Sequence, residues 1–165
     1  MGIFNKVEEK KPLQKKETDY SKVNNLLSED SKVIGNISFK SNVIILGYVK
    51  GEVSSENSVT VKKDGFVEGT IASNKISIEG KVQGNISTKG TVIVQRGGIV
   101  TGNISCTELN IEGSVKGDIN VSGTTRINES SQYSGNIKTS NIFISEKSEL
   151  KIDSLQVTKK QEESV

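Results

Sequence analysis

Apolar and polar residues alternate along most of the chain, in short segments that glycines separate. The apolar positions carry mainly Val, Ile and Leu at every second residue, a spacing that predicts short β-strands. These residues do not recur at the i, i+3, i+4 spacing of a helix, so we expect residues 33–157 to be all β. In seven segments a glycine is followed two residues later by Ile or Val, at Gly35/Ile37, Gly51/Val53, Gly69/Ile71, Gly84/Ile86, Gly102/Ile104, Gly117/Ile119 and Gly135/Ile137.

The glycine segments recur at nearly constant spacing. Successive glycines lie 16, 18, 15, 18, 15 and 18 residues apart, so from Gly51 onward every second one repeats after 33 residues. An apolar pair precedes each glycine unit. The segment that links the pair to the unit it precedes is short at Glu79-Gly80-Lys81 and long at 62–66. Self-similarity at a fixed period is typical of a solenoid. We expect the difference in length to be confined to one corner of the coil.

Each repeat predicts one turn of a parallel β-helix, made of two or three short strands. A unit of this size is too short for a propeller blade or a leucine-rich repeat, but it suits strands that stack on their equivalents one turn away. At a strand spacing of roughly 4.8 Å, seven or eight turns form a rod about 35 Å long. We expect this domain at residues 31–157, with disordered polar tails at 1–30 and 158–165.

Five of the units read VxGxI or VxGxV, and in this they closely resemble the bactofilins. The resemblance covers about residues 30–157. It implies a single-stranded, right-handed parallel β-helix with a triangular aliphatic core, which polymerises end to end into non-polar filaments without nucleotide. It also implies a membrane-associated bacterial scaffold that organises cell shape or envelope proteins. The chain departs from the pattern at Tyr133-Ser134-Gly135, and Ile152 stands near the next expected glycine. The five units are Val49–Val53, Val67–Ile71, Val82–Ile86, Val100–Ile104 and Val115–Ile119.

Composition argues against catalysis. The chain has no histidine, so it lacks the usual general base and the commonest metal ligand, and it has no GxxxxGK[ST] phosphate loop. We therefore expect no enzyme activity, no catalytic or metal-binding residues and no cofactor. Two alternatives stay open: a β-helical binding module that does not polymerise, and a relative of the hexapeptide-repeat acyltransferases. The repeats of 15 residues and the missing histidine count against the second.

Charge and hydropathy limit the partners and the location. The net charge is +2 and the two signs are interspersed, so we expect no nucleic-acid partner. The longest apolar run, Val43 to Leu46, is far shorter than the roughly 20 residues of a membrane-spanning helix, and no signal-peptide core follows the start. We expect a cytoplasmic protein at the inner face of the cytoplasmic membrane, with unknown envelope or morphogenesis partners.

The two ends of a β-helix are its expected assembly sites, because their strand edges and aliphatic side chains lack a covering turn. The expected binding partner at these ends is therefore a second copy of the same protein. We expect the interface to contain two sets of residues, one from each end. These are Val33, Ile37 and Phe39, and Ile142, Phe143, Ile144, Leu150, Ile152, Leu155 and Val157.

The N-terminal residues combine apolar and basic side chains, and bactofilin-like proteins often carry a short membrane-targeting peptide at this place. Glu8 and Glu9 dilute the charge, so an ordinary solvated tail is the alternative. Gly2 does not predict myristoylation, because Lys6 stands where the motif requires Ser or Thr. The candidate membrane-targeting residues are Ile3, Phe4, Lys6, Val7, Lys10 and Lys11.

Two columns of equivalent residues have both a structural and a functional interpretation. Cys106, the only cysteine, shares a column with Ser55 and Thr88, which favours a small residue at a packed corner over a reactive thiol. The residue after each repeat glycine is often Asn, which favours a ladder of hydrogen bonds over a site for calcium or carbohydrate. This second column contains Asn36, Glu52, Thr70, Asn85, Asn103, Asp118 and Asn136.

Overall fold

The computed structural model describes residues 25–158, which contain 18 β-strands and no helix. All strand pairs between successive turns are parallel, and all strands belong to one continuous sheet. The strands are β1 (Asn25–Leu27), β2 (Lys32–Ile34), β3 (Ile37–Phe39), β4 (Val43–Ile45), β5 (Tyr48–Lys50), β6 (Val53–Val61), β7 (Phe66–Glu68), β8 (Ile71–Ile78), β9 (Lys81–Gln83), β10 (Ile86–Ser87), β11 (Thr91–Val94), β12 (Ile99–Thr101), β13 (Ile104–Cys106), β14 (Glu108–Ile111), β15 (Ser114–Lys116), β16 (Ile119–Ile127), β17 (Gln132–Ile144) and β18 (Glu149–Val157).

The strands coil into a solenoid of about eight turns with three sides, which confirms the predicted fold class. Side A is the stack of segments equivalent to Val43–Ile45, side B the stack equivalent to Tyr48–Lys50, and side C the stack equivalent to Val53–Ser55. The first turn begins at Asn25, which pairs with Val43, so the coil includes residues before the expected start at 31. The expected tails at 1–24 and 159–165 lie outside the described residues.

The core is a stack of aliphatic side chains, two or fewer from each strand segment. Because side chains alternate across a strand, the outer residues of a side A segment point inward and the middle residue points outward. On side B the middle residue points inward instead, as Val49, Val67 and Val82 show with no exposed surface. Val and Ile dominate, since β-branched side chains fit a pleated, buried surface. Because these aliphatic side chains fill the narrow interior of the coil, the core is complete although the chain has few aromatic residues.

The repeat glycines form the corner between sides B and C. Their φ angles lie between 129° and 150°, a region that favours glycine over L-residues. A Cβ built at Gly51 would fall on the carbonyl carbon and oxygen of Gly35, and each later repeat glycine meets the preceding one in the same way. The glycine period therefore reflects a close backbone approach from turn to turn as well as a special backbone conformation.

A second column of small residues forms the corner between sides A and B, and the sequence analysis missed it. A Cβ built at Gly65 would meet the Ile45 carbonyl oxygen at 2.5 Å. Ser131 occupies the same place in the seventh turn, where its Oγ donates a hydrogen bond of 2.8 Å to the Ile111 carbonyl. The column consists of Ser31, Gly47, Gly65, Gly80, Gly98, Gly113, Ser131 and Ser148.

The expectation that length varies at only one corner is wrong. The corner between A and B does vary, from Glu79-Gly80 to the four residues 62–65. The corner between C and A varies as well, because the register between β6 and β8 shifts between Ser55 and Ser58. A bulge absorbs one extra residue there without breaking the strand.

The final turn completes the coil despite its missing glycine. Ile152 pairs with Gly135, and a second register shift leaves Asp153 as an extra residue before Ser154, which pairs with Asn136. Leu155 then pairs with Ile137 in the column of inward-pointing residues of side C. The eighth turn therefore presents the same inward columns as the turns before it.

Candidate assembly surfaces

The C-terminal end of the coil is an apolar layer, and no turn of the described residues lies above it. The side chains of Ile144, Leu155 and Val157 remain 47%, 45% and 44% exposed. One turn earlier, Ile127 lies in register with Ile144 and Ile137 with Leu155, and both are at most 1% exposed. Ile142, Leu150 and Ile152 are partly buried against the core from the same layer. Six of the seven residues expected at this end are therefore brought together.

The N-terminal end carries a smaller apolar layer. Val33, Ile37 and Phe39 point toward the axis of the coil and are partly buried against the core, together with Leu27, which was not among the predicted residues. Leu27 could have been found from the alternation, since it ends the side A segment of the first turn as Ile45 ends that of the second. The sequence analysis missed it because it placed residues before 31 in a tail.

Phe143 lies outside the C-terminal layer. It is the middle residue of its segment on side A, so it points outward and is 60% exposed. The Arg126 guanidinium, one turn earlier, lies 5.8 Å from the centroid of the Phe143 ring, within the range of a cation–π contact. Phe143 is thus a lateral residue of the last turn, and its part in an interface stays a prediction.

The asparagine column forms a partial ladder of hydrogen bonds. Asn85 Oδ1 accepts a hydrogen bond of 3.1 Å from the backbone N–H of Asn103, and Asn103 Oδ1 accepts one of 3.0 Å from Asp118. Asp118 Oδ1 in turn accepts bonds from the backbone and side chain of Asn136. These side chains therefore satisfy backbone donors next to the glycine corner. Within residues 25–158 no group of three or more His, Cys, Asp or Glu residues could hold a metal ion.

Cys106 lies in the inward column of side C and is 4% exposed. Burial raises the pKa of its thiol to about 12, with Glu108 adding to the increase, so the thiol stays protonated at neutral pH. In the same column Ser55 Oγ donates a hydrogen bond to the Ser41 carbonyl and Thr139 Oγ1 donates one to the Gly123 carbonyl, whereas the buried Ser73 Oγ has no partner among the described residues. This is the arrangement that the packed-corner interpretation requires.

Side B carries an aromatic and cationic cluster, which the sequence analysis did not predict. The Tyr48 and Phe66 rings lie one above the other with centroids 5.5 Å apart. Lys32 Nζ lies 5.9 Å from the Tyr48 centroid and Lys81 Nζ 5.1 Å from the Phe66 centroid. The Tyr48 hydroxyl donates a hydrogen bond of 2.7 Å to Glu68, which also pairs with a lysine of side B. The only signal in the sequence was that Tyr48 and Phe66 each stand one residue before the valine of a glycine unit.

The candidate membrane-targeting peptide lies outside the described residues. All six of its residues, Ile3, Phe4, Lys6, Val7, Lys10 and Lys11, precede Asn25. Among residues 25–158 there is no helix of the length and hydropathy needed to cross a bilayer.

Together, the turns define an all-β solenoid whose interior backbone pairs from turn to turn. Within residues 25–158, the first and last turns each have a neighbouring turn on one side only. A family model described as "Bactofilin: Polymer-forming cytoskeletal" matches residues 25–90 and 72–153. The chain therefore belongs to the bactofilin family of cytoskeletal proteins, as the glycine units indicated. The searches of curated proteins and of solved structures gave no match.

Proposed function

We propose that this cytoskeletal protein is a bacterial scaffold that self-assembles end to end into non-polar filaments at the inner face of the cytoplasmic membrane. The observation that carries the proposal is the exposed apolar layer of the last turn. Its inward columns continue those of the buried core, but half of the layer remains open to water. The family's polymer-forming character supports self-association through such a surface.

Contact between two C-terminal layers would give each the cover that interior turns already have. Fully burying an aliphatic side chain is worth ~1.5 to 3 kcal/mol, so two such layers contribute on the order of 5 to 10 kcal/mol after partial burial is discounted. The outermost backbone edge of β18 also gains partners. If C-terminal ends meet each other and N-terminal ends meet each other, the filament has no polarity.

This assembly requires no nucleotide. The driving force is burial of apolar surface that is already exposed in the folded subunit, and the sequence contains no phosphate-binding loop. Recruitment of envelope or morphogenesis proteins would then follow from the repeated presentation of one surface along a filament.

Electron microscopy of the purified full chain without nucleotide tests the proposal. Filaments are the expected result. Discrete monomers would contradict it and favour a β-helical binding module, and compact trimers would favour a relative of the hexapeptide-repeat acyltransferases. Addition of ATP or GTP is the control, and filaments that form only with nucleotide would contradict the stated driving force.

A further inference from the structure

One axial column of side B combines cationic, aromatic and aliphatic side chains on five successive turns. Its members lie in register from turn to turn, and we call them the side B column: Lys32, Tyr48, Phe66, Lys81 and Ile99. Both rings are half-buried, whereas both lysines and the isoleucine are exposed. The column is therefore a stripe in which two ammonium groups enclose a pair of rings, with an apolar residue beyond them.

The stacking of this column determines which parts of the rings face solvent. The Tyr48 and Phe66 rings lie against each other, with Lys32 Nζ over the first ring and Lys81 Nζ over the second. Because each ring has a neighbour on both sides along the coil axis, its edge is the part that remains open to solvent. Ring edges carry the positive part of the aromatic quadrupole. The rings and the ammonium groups therefore favour the same kind of partner, an anionic one.

The charge of the two lysines is not compensated within the described part of the chain. Among residues 25–158, neither Lys32 nor Lys81 has a carboxylate within ion-pair distance. Glu68, whose carboxylate contacts the column, is already engaged: Oε2 accepts the hydrogen bond of Tyr48 and Oε1 lies 3.2 Å from Lys50 Nζ. Both contacts hold the pKa of Glu68 below its usual value, so this carboxylate stays charged and positions the Tyr48 ring.

We infer that the side B column is a docking site for an extended acidic peptide segment of another protein, with acidic residues at positions i and i+4 and an apolar residue at i+2. Lys32 and Lys81 are three turns apart, which at roughly 4.8 Å per turn is about 14 Å. An extended chain rises about 3.4 Å per residue and turns every second side chain to one face, so residues i and i+4 are also about 14 Å apart. The two acidic residues then face the lysines, and the apolar residue between them contacts the rings.

The path of the chain leaves this column uncovered. Residue 25 starts a side A segment and residue 157 ends a side C segment, so both ends of the described chain lie at the corner between C and A, away from side B. An anionic membrane surface is disfavoured as the partner, because the Glu68 carboxylate beside the rings would face lipid phosphates. A peptide avoids this contact by carrying its acidic residues four positions apart.

Docking at this column rests on the proposed scaffold function, because it names the surface and the class of partner that recruitment would use. Each subunit carries a complete column in its first five turns, so a filament only multiplies the number of sites. Binding of a single peptide therefore does not depend on assembly, and the two properties are tested separately.

Fluorescence anisotropy with labelled synthetic peptides tests the site on the purified full chain. The probe contains the segment glutamate-serine-leucine-serine-glutamate between short glycine-serine flanks. Three matched peptides change one feature each: both glutamates to glutamine, the leucine to serine, or the spacing of the glutamates from i, i+4 to i, i+3. The glutamine peptide should bind roughly tenfold more weakly than the probe, and the other two roughly threefold more weakly. Equal binding of all four peptides, or of none, would overturn the inference.

Variants of the column provide the second arm. Lys32→Glu with Lys81→Glu should weaken probe binding roughly tenfold or more, and the milder Lys32→Gln with Lys81→Gln should weaken it less. The matched control is Lys116→Glu with Lys138→Glu, which makes the same change in net charge at exposed lysines outside the column and should bind the probe like wild type. Equal losses in the column and control variants would show that only net charge matters and would overturn the site.

Leu155→Arg separates docking from assembly. This variant should form shorter filaments yet bind the probe as tightly per subunit as wild type, because its column is intact. Pelleting with anionic vesicles is measured in parallel. Loss of pelleting in the Lys32→Glu with Lys81→Glu variant, with no probe binding by wild type, would assign the lysines to a membrane and overturn the inference. A change in filament width in this variant, again without probe binding by wild type, would assign the column to contact between copies and would also overturn it.

Discussion

The residues that matter most for the coil are those that must lack a Cβ. At the corner between B and C, the positive φ and the carbonyl one turn below act together, so a side chain there strains the backbone and crowds its neighbour. Sequence periodicity revealed this column because every member but the last is glycine. It did not reveal the corner between A and B, because Ser31, Ser131 and Ser148 interrupt the glycines there.

Gly84→Val and Gly117→Val are each expected to destabilise the folded chain by roughly 1 to 3 kcal/mol. The reason is the clash of a Cβ with the carbonyl of Gly69 or Gly102. Urea unfolding followed by circular dichroism measures the change. Thr70→Val is the matched control: it lies next to the glycine column, points outward and should change stability little. Equal losses in the glycine and threonine variants would show that the assignment of inward and outward positions is wrong.

Asn85 is less suitable as a control, although its side chain points outward. Its Oδ1 accepts the Asn103 backbone N–H, and removing such a bond costs about 0.5 to 1.5 kcal/mol. The sequence could suggest a ladder at this column but not its partners, because those depend on which residue of the next turn lies in register.

Two tight turns hold residues other than glycine in the left-handed region. Ser130 and Lys147 have φ values of 63° and 59°, at the place where the equivalent turn of the fifth repeat has Gly97 with φ 82°. Ser130→Gly and Lys147→Gly should each raise stability by about 0.5 to 1 kcal/mol, since the relief of strain exceeds the added entropy of the unfolded chain. Thermal unfolding measures the effect. Asp64→Gly, at an equivalent site without positive φ, should lower stability, and a gain there equal to the others would contradict the explanation.

At the scale of strands, alternation determines which residues reach the ends of the coil. The sequence analysis treated residues 142–144 as one apolar group, yet Ile142 and Ile144 point inward and Phe143 points outward. The alternation was visible in the sequence. The sequence analysis did not assign inward and outward positions in the final turn, because this turn lacks the glycine that sets the register of the earlier turns.

Leu155→Arg should dissolve filaments into short oligomers while leaving the β-sheet spectrum unchanged, because it places an unpaired charge in a desolvated contact. Phe143→Arg should have a smaller effect, since the side chain lies on the lateral face beside Arg126. Electron microscopy and sedimentation velocity measure particle length. If these residues only close the subunit's own core, Leu155→Arg would lower the melting temperature and leave filament length unchanged. Equal shortening by both variants would place the lateral rim of the last turn in the interface.

At the scale of the whole molecule, more of the fold than of the surfaces could be predicted from the sequence. A repeat of 15 to 18 residues with alternating Val and Ile predicts a parallel coil, because few architectures bury such short strands. The charges of side B could not be grouped in advance, since Lys32, Lys50 and Lys81 come from separate turns. Their common face depends on turn lengths that differ at two corners.

We propose that attachment of the whole assembly to the membrane depends on the N-terminal peptide. Residues 1–16 carry five lysines against two glutamates, and each lysine near an anionic leaflet contributes ~1 kcal/mol. One copy is therefore expected to bind weakly, and a filament that presents many copies should gain affinity through avidity. Sedimentation with anionic liposomes measures this binding. Deletion of residues 2–7, or Ile3→Ser with Phe4→Ser, should release the protein from the liposomes while filaments persist.

Two comparisons make the membrane experiment decisive. Leu155→Arg, which should shorten filaments without touching the peptide, is expected to bind liposomes less than wild type because fewer peptides act together. Neutral liposomes should pellet less of the wild-type filament than anionic ones, since they lack the charge that attracts the lysines. Equal pelleting before and after deletion of residues 2–7 would refute a targeting role for this segment and leave it as a solvated tail. Equal pelleting by long and short assemblies would instead show that the peptide binds strongly as a single copy, without any contribution from the filament.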